Sequence, residues 1–143
     1  MKHIADFKKH FALLLEAGFV AVNQADEDAA LKLFKAASLL DPTSTLPEVG
    51  VGYLHLHKLE VKQACKAFEN VLKKDPKNDM ARAFLGLTMT FTADRVEEGE
   101  KILKETHKAS GDPQIRTLTE SSLKFVEKFV KKSGNKGKSL PGK

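Results

Sequence analysis

Apolar positions recur at threes and fours along most of the chain, the spacing of one face of an α-helix. Residues 3 to 24 place Ile4, Phe7, Phe11, Leu14, Leu15 and Gly18 on such a face. After a polar turn at Asn23–Asp28, a second helix reaching about Leu40 presents Ala30, Phe34 and Ala37. Further helices are predicted over Leu46–His57, Val61–Lys74, Asp79–Thr92, Asp94–Lys108 and Pro113–Lys132. Asp41-Pro42, Asp75-Pro76 and Asp112-Pro113 stop or start them, because proline lacks an amide donor and disfavours helical geometry before it. The fold class is all-α.

The pattern is periodic on a longer scale as well. Gly18, Gly52 and Gly86 stand 34 residues apart, as do Ala30 and Ala64, Phe34 and Phe68, and the first two Asp-Pro pairs. A period of this length marks stacked helix-turn-helix units. Three tandem repeats follow, over approximately 11–44, 45–78 and 79–112, with a capping helix at 113–132. Together they predict one domain spanning 1–132. The third repeat is degraded: Glu98-Gly99 replaces the expected alanine, and the last Pro-to-Pro spacing is 37.

Composition adjusts this picture in three ways. The formal charge of +5 belongs to the end of the chain. Five of the 24 basic side chains and no acid lie in 131–143, leaving 19 basic against 19 acidic side chains before it. The balanced body gives no warrant for a nucleic-acid-binding face, and 133–143 is expected to be a basic disordered tail. A single cysteine excludes an internal disulfide and suits the cytoplasm. No run of 18 apolar residues is present, so stable membrane insertion is not expected. Lys8-Lys9 before Phe11–Leu15 imitates a secretion leader, but Asp6 and Glu16 interrupt it.

Gly18, Ala30, Phe34, Ala37 and Pro42, then Gly52, Ala64, Phe68, Val71 and Pro76, resemble the tetratricopeptide repeat, with Leu85, Gly86 and Ile102 a weaker third copy. The usual early aromatic is absent, with Leu14, Glu48 and Arg82 in its place. Ala21, His55 and Met89 replace the usual late tyrosine. The resemblance implies that the first helix of each pair lines a groove. The lining residues would be Leu15, Phe19 and Val22, then Leu46, Val49, Tyr53 and Leu56, then Met80, Ala83, Leu87 and Phe91. Ala12 would also face inward, and Asn23, His57 and Thr90 would add polarity near the helix ends. Monomers rarely expose apolar patches above roughly 300–600 Å², so a partner, a second copy, the last helix or the N-terminal residues should cover this face.

Repeat domains that grip acidic chaperone tails use a Lys/Asn/Arg clamp. Those places hold Leu15, Phe19, Gly50, Met80 and Phe84 here. Three repeats with an apolar groove and a capping helix instead resemble the chaperones of bacterial type III secretion. The resemblance implies a protein partner: an amphipathic helix or hydrophobic segment of a secreted protein. That partner is the needle subunit in one branch and a translocator in the other, with a small co-chaperone as a further partner. Self-association without a client and a generic interaction scaffold stay open as alternatives.

Candidate chemistry yields to simpler readings. His55 and His57 point about 200° apart on a helix, unlike a ligand pair. Cys65 reads as a small buried hydrophobe. Glu97, Glu98 and Glu100 complement a helix N-terminus. No nucleophile, phosphate-loop or zinc motif occurs, so neither a cofactor nor an enzymatic activity is expected.

Overall fold

A computed structural model describes the backbone of residues 2–131 and the side chains from residue 5 onward. The expected tail, 133–143, and the end of the expected capping helix lie outside the described residues. Seven α-helices follow in order: α1 (Lys2–Asn23), α2 (Glu27–Leu40), α3 (Leu46–His57), α4 (Val61–Lys74), α5 (Asp79–Met89), α6 (Val96–Ala109) and α7 (Pro113–Phe125). A 3-10 turn, Ala93–Arg95, precedes α6, and a π-helical turn, Val126–Lys131, extends α7. Contacts gather into two compact units divided between Lys77 and Asn78, beside the expected join of the second and third repeats.

In the first unit α1 pairs with α2 and α3 with α4, while α3 also lies against both α1 and α2. The joint is Phe34, whose ring is fully buried. Gly18 of α1 and Gly50 of α3 both face it, and a methyl group on either would overlap the ring. Phe68 sits against Gly52 in the same manner one repeat later. Leu15, Ala21, Val22, Ala30, Ala37 and Leu54 complete the core around Phe34. Burial of this apolar surface is the main stabilising term. Asp26 caps α2 by accepting from the amide of Ala29 at 3.1 Å.

Two turns of the first unit share one geometry. Ala25 and Leu59, 34 residues apart, both have positive φ, 60° and 58°. The amide of Asp26 donates to the Ala21 carbonyl and that of Ala25 to Val22. Glu60 and Leu59 repeat this onto His55 and Leu56. This is a Schellman ending, which normally places glycine at the left-handed position.

In the second unit α5 pairs with α6, and α7 lies against both, as α3 does against α1 and α2. The degraded repeat has a physical explanation. Ile102 stands where an aromatic would be, and Gly99 brings its backbone directly onto Gly86 of α5. Close backbone contact thus replaces the glycine-on-ring joint. Thr88, Thr90, Thr106 and Thr119 are fully buried, and the hydroxyls of Thr88, Thr106 and Thr119 donate to carbonyls four residues earlier.

Two expectations need correction. Helix α5 stops at Met89, not Thr92, because the amides of Thr90, Phe91 and Thr92 turn to carbonyls three residues back, tightening the last turn. Phe7, expected on a packed face, is exposed, since the 22-residue α1 is much longer than the 14-residue α2 beside it. On the last segment Thr119 and Ser122 are buried, whereas Phe129 is 53% exposed.

Candidate functional site

The residues expected to line a groove separate into three groups. Leu15, Val22, Val49, Leu56 and Ala83 are buried within the chain. They have too little surface to meet a partner, which corrects their assignment to an open lining. The reason is packing on several sides: α1 meets α2 and α3, α3 meets α1, α2 and α4, and α5 meets both α6 and α7. Phe19, Tyr53, Met80 and Leu87 are half-buried. Leu46 and Phe91 are exposed, at 38% and 39%.

In the first unit the half-buried residues form one built feature. The Phe19 ring meets Phe34 edge-on at 5.3 Å and Tyr53 at 5.5 Å between centroids. Tyr53 continues to His57 at 4.8 Å. The Tyr53 hydroxyl donates to Asn23 Oδ1 at 2.7 Å and lies 3.2 Å from His57 Nε2. Partial burial pushes the Tyr53 phenol up from its ordinary pKa. Helices α1 and α3 thus present an aromatic surface whose polar end holds Asn23 and His57. Such amphipathic aromatic surfaces suit protein contacts.

The second unit offers Met80 and Leu87 on α5 and Phe91 in the turn just after it. Part of α5 is already met by α7, and the Phe91 ring packs on Phe125 at 5.9 Å. The chain's last helix therefore covers some of the expected lining.

A cleft that the sequence reading missed lies between α1 and α2. His10 and six apolar residues, Leu13, Leu14, Ala17, Ala36, Leu39 and Leu40, line a space of about 600 Å³. Leu13 and Leu39 are exposed, Leu39 at 75%. The signal was available in the repeat itself. Thirty-four residues on, Leu14, Ala36, Leu39 and Leu40 become Glu48, Asn70, Lys73 and Lys74. Glu48 and Lys74 form an ion pair at 3.3 Å. The fold therefore accepts polar side chains at these positions, and the first repeat carries apolar ones. On the same unit Leu13, Val20 and Leu31 are exposed, whereas their second-repeat counterparts Pro47, Leu54 and Cys65 are buried.

The titratable candidates are engaged elsewhere. His55 Nδ1 lies 2.7 Å from Glu60 Oε1, and that hydrogen bond holds the Glu60 carboxyl below its ordinary pKa. Lys58 reaches Glu27 at 2.8 Å, tying the second turn to the start of α2. Cys65, the one cysteine of the sequence, is buried. Glu97 and Glu98 are exposed, and Arg95 lies 3.1 Å from Glu98. Glu100 is nearly buried and meets Lys131 at 2.9 Å. Among the described residues no three His, Cys, Asp or Glu side chains converge on a point, and no helix is long and apolar enough to cross a membrane. No protein-family model matches the chain, and a search of curated proteins finds no match.

Proposed function

We propose that this protein is a tetratricopeptide-type binding chaperone that holds an amphipathic or hydrophobic helical segment of an export-bound protein, the needle subunit of a type III secretion system. The observation that carries the reading is the Phe19–Tyr53 surface of α1 and α3 in a chain of tandem helix pairs, with Leu46 exposed on the same α3. A client helix would lay its apolar face there and so lose the surface through which it self-assembles. A translocator-type client would use the same residues through an extended segment. The apolar α1–α2 cleft, unlike its polar counterpart in the second repeat, is where a small co-chaperone would dock. A generic scaffold is the alternative, and it binds proteins that are already folded and soluble.

The test is co-expression with the needle subunit of the source organism, reading how much client stays soluble. Phe19 and Tyr53 pack against the core, so a charge there would confound binding with folding. Leu46→Glu is the cleaner probe. It should keep the melting midpoint and weaken client binding by at least roughly 2 kcal/mol, as for a hot-spot residue. Unchanged client solubility with this variant would remove α3 from the binding surface. Capture of folded, soluble proteins alone would favour the scaffold.

A further inference from the structure

We propose that two copies of this chain pair through α1, antiparallel, about a two-fold axis passing Leu13. Phe7, Leu13, Val20, Leu31 and Leu39 of α1 and α2 are each between 41% and 75% exposed. Exposed apolar side chains are ordinary singly, but so many on one helix pair mark a contact surface. The repeat says what kind of element covers it. Thirty-four residues on, Leu13, Val20 and Leu31 become Pro47, Leu54 and Cys65, and these are buried. Helix α3 lies against α1 and α2 there, and Leu54 joins the core around Phe34. The covering element at these positions is therefore another helix of the same kind.

Charge decides which helix fits. Gly50 gives the Phe34 ring its room, and the same position of the first repeat holds Glu16. A further repeat stacked in that manner would press a ring onto the carboxylate, so the occupant must instead bring a cation. A second α1 does. Across an axis at Leu13, residues equally far before and after Leu13 face each other. Leu13 then meets its own copy, and Glu16 meets His10 with Lys9 beside it, twice over by symmetry. Lys9, His10 and Glu16 are all exposed. The same register places Phe7 of one copy at Val20 of the other. Leu39 and Leu40 sit beside His10 and Leu14, so α2 runs back along α1, and Leu31, about two turns earlier on α2, lies at the level of Val20. Phe7 of the second copy thus also reaches Leu31. An isologous pairing closes at two copies, whereas head-to-tail contact propagates. Leu13 also lines the α1–α2 cleft, so a second copy and a co-chaperone seated there exclude each other.

The experiment is sedimentation equilibrium of the full chain without client over a range of concentrations, which reads the pairing independently of any chaperone activity. Wild type should approach twice the 15.8 kDa of one chain and go no higher. Leu13→Glu, at the centre of the contact, should weaken dimerisation at least roughly tenfold. Glu16→Lys should weaken it roughly fivefold, and adding Lys9→Glu to that variant should restore it. If Leu13→Glu has lost its helical melting transition, the charge reversal and its restoration supply the reading. A monomer at every concentration would overturn the proposal. So would a dimer that neither Leu13→Glu nor Glu16→Lys disturbs, which would place the contact elsewhere. Mass rising past two copies would replace the closed pair with head-to-tail stacking. Failure of the added Lys9→Glu to restore pairing would overturn the register at Leu13.

Discussion

Phe34 shows how much one side chain can decide in a repeat of small helices. It lies under a glycine of its own repeat and, at Gly50, under a glycine of the next. Gly50 falls outside the 34-residue series, so the sequence period does not reveal its partner. Gly50→Ala should restore about 1 kcal/mol of helix propensity but force the buried ring from its place, at an overpacking cost of roughly 1–3 kcal/mol. A net loss of up to about 2 kcal/mol in chemical denaturation is expected. Gly111→Ala is the control, with nothing within 4 Å of the added methyl, and should change stability by less than about 0.5 kcal/mol. Equal effects at the two sites would show that the ring yields freely.

At the scale of elements, helix bounds were legible because they rest on local rules. Leu46–His57 and Val61–Lys74 are observed as their apolar periodicity and flanking prolines predict. The turns were not legible. Nothing about alanine or leucine announces a left-handed residue, yet Ala25 and Leu59 adopt it because the Schellman bonds close the helix there. That geometry costs a non-glycine residue roughly 1–2 kcal/mol, while glycine loses more chain entropy on folding. Ala25→Gly and Leu59→Gly should each stabilise the protein by about 0.5–1 kcal/mol, read as a rise in melting midpoint. Ala93→Gly, at the corresponding position of the third pair but in a 3-10 turn without positive φ, should give no gain. A gain there equal to the other two would detach the effect from backbone geometry.

At the scale of the whole molecule, client binding and folding should be separable: a Leu46→Glu chain that no longer keeps its client soluble should keep the wild-type melting midpoint, since Leu46 is exposed. The sequence by itself determined the helix content, the 34-residue period and the polarity of each face, because these follow from nearest-neighbour rules along the chain. Exposure was decided only by tertiary structure. Val22 and Phe19 lie three residues apart on the same expected lining, yet Val22 is 1% exposed while Phe19 keeps open surface. A periodic pattern says that a residue faces a neighbour. How many neighbours converge on it depends on which helices pack together, and that set which apolar residues became core and which were left as surface.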